Sequence, residues 1–413
     1  MRELSIRSPE RRVVVTGMGA VTCIGNTLDD IAYSLKNQIC GIRHVPEYAE
    51  MGLKSQVAGI PNLTSEPAIP RKIARYMGDA AIYAYHSMCK ALEDAQLPHS
   101  AVSHPRTGLI VGSGIGSGVH HLAGIDILRA RGADKIPPYL VPRVMGSTTS
   151  ACLSTAFGIQ GVSFSITSAC ATSAHCIGQA AQLIQSGKQD IMFAGGSEEV
   201  SWTSTALFDA MGALSTAFNH CPQQASRPYA IDRDGFVIAG GGGMLVLESL
   251  AHATERGAHI YAELVGFGAT SDGMDMVNPH PNGAARAMRQ ALTEANTDVD
   301  YVNTHATSTP NGDLSEIKAL NDVFGPALPA HSSTKGMTGH PIAAAAVHEA
   351  IYCLLMLNQS FIAGSTPHSP LDPAIESDAN LLTSTVEQRI QVVMSNSFGF
   401  GGTNASLIFR RAC

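Results

Sequence analysis

Short apolar, β-branched runs that end in glycine recur along the chain. They are RVVVTGMGAV (12–21), GLIVGSGIGSG (108–118), DIMFAGG (190–196), GMLVLES (243–249), IYAELVGFGAT (260–270) and QVVMSNSFGFGG (391–402). Such runs predict buried strands. Between them lie alanine-rich patterns with helical spacing, such as GDAAIYAYHSMCKALEDA (78–95) and GAARAMRQALTEA (283–295). Buried strands alternating with helices predict an α/β architecture. One run also echoes another: VTGMGAVT (15–22) is similar to LVGFGATS (264–271). A separation this long is no solenoid period. It predicts two related halves, 1–254 and 255–413.

Composition narrows the class. The chain has 413 residues, 45% hydrophobic and 15% charged, which suits a globular chain with a sizeable core. A net charge of −7 argues against general nucleic-acid binding, which needs a basic footprint. Nine cysteines without a CxxC read as reduced thiols, so a cytoplasmic chain is expected. No secretory signal is expected from the charged opening MRELSIRSPERR. No membrane span is expected, because the nearest candidate, PIAAAAVHEAIYCLLML (341–357), is interrupted by His348 and Glu349. The glycine turns complete neither GxGxxG nor GxxxxGK[ST], so a nucleotide site has no support.

Four segments carry candidate chemistry. In VSFSITSACATSAHCIGQAAQLIQSG (162–187) a buried strand is predicted to run into a helix, with Cys170 at the corner. A helix N-terminus favours an anion and lowers a thiol pKa. Cys176 falls mid-helix and reads as a core residue. His175, five positions past Cys170, is about 140° around the helix and points away from that sulfur. The segment ALPAHSSTKGMTGHPIAAAAVHEAIYCLLML (327–357) repeats the device: a strand, a loop with Lys335 and His340, then a helix opened by Pro341. The helix start is expected to keep His340 neutral. Glu349 sits in an apolar stretch and needs a cation, either Lys335 or a bound metal ion. The third segment, DYVNTHATSTPNGD (300–313), places His305 and a run of hydroxyls after a strand. The fourth, SNSFGFGGTN (395–404), predicts a glycine turn with exposed N–H groups, as an oxyanion hole needs.

These segments resemble the β-ketoacyl-acyl-carrier-protein synthases, condensing enzymes with the thiolase fold. The resemblance runs from VVVTGMGAVTCIGN to NSFGFGGTNASLIF, and SACATSAHCIG, FDAMGALST, RDGFVIAGGGGM and KGMTGH are similar to the synthase I branch. It implies two duplicated halves layered α-β-α-β-α. It implies an acyltransferase of fatty-acid synthesis, elongating chains by decarboxylative condensation with malonyl-ACP. Cys170 matches the nucleophile, His305 and His340 the paired histidines, and Lys335 the active-site lysine. The N–H groups of Cys170 and Phe400 match the oxyanion hole, with Phe400 also the gate. Thr307, Thr309, Phe208 and Phe398 match substrate-contacting positions. Asn303, Glu349, Ser395 and Asn396 match the surroundings of a structural Na+ or K+. No redox cofactor is required, because phosphopantetheine arrives on the carrier protein. That carrier is acidic, and Arg71, Lys72, Arg75, Arg129, Arg131 and Lys135 are the expected dock. A cytoplasmic homodimer is implied.

The chain departs from the family pattern at Ala306, where glycine is usual, at Ala230, where aspartate is usual, and in GHPIAAAAV (339–347). These leave the acyl-chain range open. A condensing enzyme of a specialised polyketide or polyene pathway is the alternative, as is its non-catalytic partner subunit. The retained Cys170 argues against the subunit. A thiolase would carry a second catalytic cysteine in the fourth segment, which has none.

Overall fold

The computed structural model describes residues 11–375 and 380–412. The opening segment through residue 10 and Cys413 lie outside the described residues. Ten strands form one continuous sheet. Val13–Val21, Thr107–Gly112, Ser163–Phe164, Ile191–Glu198 and Gly241–Ser249 make up one half. Ala262–Ser271, Tyr301–Asn303, Ala330–Ser332, Val392–Gly399 and Thr403–Arg411 make up the other. Numbered along the chain within each half, both run third–second–fourth–fifth–first. In both, the pairs made by the second strand are parallel and those made by the fifth are antiparallel. The same order with the same directions marks a duplicated unit. The two first strands join the halves, with Val13 opposite Leu264 and Val15 opposite Ala262.

Helices Thr172–Gln185 and Ala345–Gln359 connect the third and fourth strands of their halves and pack between the two halves of the sheet. The Val347 N–H donates to Ser173 Oγ across their contact at 2.9 Å. Asp79–Ala95 covers the outer face of one half, and Pro281–Ala295 with Pro310–Phe324 covers that of the other. The result is five layers, α-β-α-β-α.

The sequence echo has a packing cause. A Cβ at Gly19 would lie 2.1 Å from the Ser87 carbonyl oxygen, and one at Gly268 would lie 1.9 Å from that of Ala287. Each glycine lets its strand touch the outer helix of its half, so these turns serve strand–helix packing. The apolar stretch Ile342–Gln359 is long enough to cross a membrane by composition, but 89% of it is buried inside the protein. It is the central helix of the second half.

Two local expectations need correction. Only Ser163–Phe164 of the 162–169 run is strand, and it is exposed, because it forms the edge of the sheet. The second central helix starts at Ala345, not at Pro341, after a 3₁₀ turn over Ile342–Ala344. Lys335 lies on a short helix of its own, Lys335–Thr338.

Candidate active site

The two halves bring matching corners together. In the first half a 3₁₀ turn, Ala169–Ala171, precedes the central helix. In the second, Ile342–Ala344 does the same. Each turn opens on a residue in the left-handed region: Ala169 at φ +48° and Ile342 at φ +44°. A β-branched side chain is rare there, and strain of this kind clusters at functional sites. Cys170 follows the first of these residues and His340 precedes the second, so the duplicated corner delivers one reacting group from each half.

Cys170 is 9% exposed, and its Sγ lies 2.9 Å from His340 Nε2. The rings of His305 and His340 stand edge to face with centroids 5.1 Å apart. The Cys170 sulfur and one nitrogen of each histidine all lie within 4.8 Å of one another. Phe236 sets its ring edge-to-face on His340 at 5.5 Å, which holds the imidazole plane. The Phe400 backbone N–H and that of Cys170 both face the sulfur. A Cβ on Gly399 would lie 3.0 Å from the Cys170 nitrogen, so the turn can approach this closely only with glycine there.

The electrostatics differ from the sequence expectation at the nucleophile. Burial pushes the Cys170 thiol up to about 12, against the pull of the Lys335 charge and the two backbone N–H groups. The resting sulfur is therefore a thiol, and His340 is the base within reach. Burial first, and the Lys335 cation second, hold both histidines well below the usual imidazole range. They are neutral, as expected, but the cause is desolvation and Lys335. Lys335 is itself buried and paired with Glu349, whose carboxyl is raised by burial and lowered by that lysine. Of the two partners expected for Glu349, Lys335 is in place.

Thr307 and Thr309 line a cavity of about 360 Å³ that ends at Cys170, with Phe208, Phe398 and Phe400 on its wall. The two threonine hydroxyls are 3.2 Å apart. Phe208 packs against Phe236 at 5.3 Å and Phe400 at 6.3 Å. His175 instead bonds Ser168 Oγ at 2.7 Å and packs on Phe267, and Cys176 is fully buried in the core. Arg71, Lys72, Arg75, Arg129, Arg131 and Lys135 are all exposed on the surface.

Two of the family departures are buried in the fold. Ala306 is buried, with its N–H on Glu316 and its carbonyl taking the Ser333 hydroxyl at 2.6 Å. Ala230 is also buried, and its carbonyl accepts from Arg233 at 2.7 Å, while Asp372 accepts from the same guanidinium at 2.9 Å.

Two buried carboxylates escaped the sequence reading. Glu316 accepts the backbone N–H groups of His305 (3.0 Å) and Ala306 (2.8 Å), and burial raises it to about 7. Its signal was present: Asp313, Glu316, Ile317 and Leu320 share one helical face, and a carboxylate on an apolar face needs donors. Glu198, also raised to about 7 by burial, accepts from Ser113 Oγ and from the N–H groups of Gly114, Ile115 and Ala343. Ala343 holds the place in its corner that Cys170 holds in the other. The Glu198 carboxylate thus accepts the N–H that matches that of Cys170 and ties the His340 corner to the 113–115 loop. Glu198→Ala is expected to lower kcat about 10–100-fold through misplacement of His340. Millimolar formate should restore part of the loss, and a rate that formate leaves unchanged would count against this role.

Comparison with known proteins agrees with the geometry. The β-ketoacyl synthase N-terminal domain matches residues 10–253 and the C-terminal domain residues 261–368. The chain is 55% identical to 3-oxoacyl-[acyl-carrier-protein] synthase 1 of Haemophilus influenzae, over 97% of this chain and 99% of that protein. The crystal structure of a β-ketoacyl synthase from Burkholderia phymatum superposes with a TM-score of 0.92 at 36% identity, covering 98% of this chain and all of the other. A type II polyketide ketosynthase in complex with its acyl-carrier protein gives 0.87 at 29% identity, over 98% of this chain and 100% of that one. The chain belongs to the β-ketoacyl synthase family and is an acyltransferase, a condensing enzyme of fatty-acid biosynthesis.

Proposed function

We propose that Cys170 carries the growing acyl chain and that His305 and His340 drive decarboxylation of malonyl-ACP. The observation that supports this is the meeting of one sulfur and two neutral imidazoles on the wall of one cavity. An acyl group on carrier-bound phosphopantetheine enters past Thr307 and Thr309. His340 takes the thiol proton as Cys170 attacks the thioester carbonyl, and the oxyanion meets the N–H groups of Cys170 and Phe400. The carrier thiol then leaves with a proton. Malonyl-ACP enters next. Loss of CO2 leaves an enolate, whose oxygen accepts hydrogen bonds from the two histidines. The carbanion attacks the Cys170 thioester and the same two N–H groups hold the second oxyanion; as it collapses the bond to the Cys170 sulfur breaks, the thiolate takes a proton from solvent, and the 3-oxoacyl product departs on the carrier. One such donor is worth about 3–4 kcal/mol in other enzymes.

Mass spectrometry of the Cys170 peptide after incubation with acyl-ACP tests the first half of this scheme. The expected result is a mass gain of one acyl group. No gain with any chain length would refute it. A graded series of saturated and cis-unsaturated acyl-ACPs then reads the substrate range.

The carrier protein is proposed to dock on Arg71, Lys72, Arg75, Arg129, Arg131 and Lys135. All six are exposed on a chain that is negative overall, which suits an acidic partner. Lys72→Glu with Arg75→Glu should raise KM for malonyl-ACP about tenfold at low salt and leave kcat unchanged. An unchanged KM would remove these two from the dock.

A structural monovalent cation fits beside the site. Asn303 Oδ1, Glu349 Oε2 and Ser395 Oγ are buried oxygens with no hydrogen-bond partner among the described residues. Hard cations take oxygen donors of this kind. The Asn396 side chain is turned elsewhere, to Ser406 and Glu316. A bound Na+ or K+ would neutralise the free oxygen of Glu349, and no step of the reaction runs through it. The chemistry above needs no redox cofactor. A homodimer is proposed as the working unit, with the exposed edge strand Ser163–Phe164 available to pair. Reduced thiols and a soluble carrier suit the cytoplasm.

A further inference from the structure

Cys170, His305 and His340 form a geometry that the condensation does not exhaust. A tetrahedral zinc ion with one sulfur and two nitrogen ligands sets those atoms roughly 3.3–3.7 Å apart, given bond lengths of about 2.3 and 2.0–2.1 Å. Here the sulfur and the His340 nitrogen are 2.9 Å apart, and all three donor atoms fall within 4.8 Å. Changes of up to about 1.5 Å in these separations, shared between the atoms, would seat the metal. The three ligands come from three different chain segments, each held by its own strand or 3₁₀ turn, and the two rings already stand at 86° to each other. Nδ1 of each histidine has no hydrogen-bond partner among the described residues, so a metal-bound imidazole would donate its outer N–H to water. Lys335, the buried cation whose charge reaches both histidines, is paired with Glu349, which offsets part of its repulsion of a metal ion. All three residues line the cavity described above.

We propose that this triad is a regulatory zinc site: one Zn2+ held by Cys170, His305 and His340, reversibly blocking acyl loading. Binding converts the Cys170 thiol and aqueous Zn2+ into a zinc thiolate, and the proton goes to solvent. The sulfur electrons that would attack the acyl thioester are then shared with the metal. The acylated enzyme has no thiol to offer, so zinc and acyl chain exclude each other. Enzyme at work is protected, and enzyme at rest is exposed.

The test uses the full-length enzyme and Zn2+ delivered from chelator buffers. The expected result is one Zn2+ per chain at micromolar or tighter affinity, with inhibition reversed by chelator. Cys170→Ser, His305→Ala and His340→Ala should each weaken binding about 100-fold or more, and prior acylation should do the same. Circular dichroism checks that each variant is folded. Co2+ in place of Zn2+ gives a readout independent of activity: a thiolate-to-cobalt band in the near ultraviolet, lost in Cys170→Ser. Zinc that binds Cys170→Ser as tightly as the parent enzyme, or Co2+ with no thiolate band, overturns the proposal and assigns the metal to surface histidines. The binding arms stand whether or not Cys170 accepts acyl groups, so failure here and failure of the acyl-loading test are distinguishable.

Discussion

Cys170→Ala is expected to abolish condensation, by about 10⁴-fold or more, while malonyl-ACP decarboxylation survives. Losing a nucleophile outright leaves only binding and hydrogen-bond donation, which is why such losses are large. The site divides accordingly. The sulfur and the two backbone N–H groups serve the acyl chain, whereas the two imidazoles serve the malonyl group. Removing the sulfur leaves the imidazoles in place, since burial and Phe236 hold them without it. The measurement is release of labelled CO2 from malonyl-ACP alongside 3-oxoacyl product. A variant that loses both activities equally would mean that the sulfur also positions the histidines. His305→Ala gives the complementary result, with acyl loading kept and CO2 release lost.

The second large effect is on stability. Lys335→Met should destabilise the fold by about 3–5 kcal/mol, because it leaves the buried Glu349 carboxylate without its cation. The companion Lys335→Met/Glu349→Leu should recover most of that stability and none of the activity. Urea denaturation midpoints of the parent and both variants make the comparison. The pH dependence has a definite sign. The folded-state pKa of Glu349 is raised by burial, and removing the lysine takes away the opposing influence. A carboxyl raised in the folded state is no handicap below its unfolded pKa, and the penalty grows as pH rises toward the folded value. The single variant should therefore close on the parent in stability as pH is lowered from 8 toward 5. The double variant should not. A single variant as stable as the parent at pH 8 would show that the pair contributes nothing net.

Much of this protein was legible in one dimension. Strand and helix positions follow from apolar runs and their glycine ends, because a strand that packs against a helix at Gly19 or Gly268 has no room for a side chain. The duplication showed in the same glycines. Cys170 was separable from Cys176 by position, since a corner is open to a ligand and a helix interior is not. His175 was set aside by the angle between helix positions.

Tertiary structure decided the rest. Glu198 lies far along the chain from Ala343, and only the docking of one corner on the other shows that its carboxylate accepts the N–H that matches that of Cys170. Phe236 matters because its ring lands on His340, which no spacing reveals. The ionisation of Cys170 went against expectation for a related reason. The sequence places the sulfur at a helix N-terminus, which favours a thiolate, but burial is a property of everything packed around it, and here burial prevails. What the sequence by itself determined was the set of reacting groups and their order along the chain. Only the folded structure decided which of them carry charge, because desolvation and the field of Lys335 depend on residues brought near from every part of the molecule.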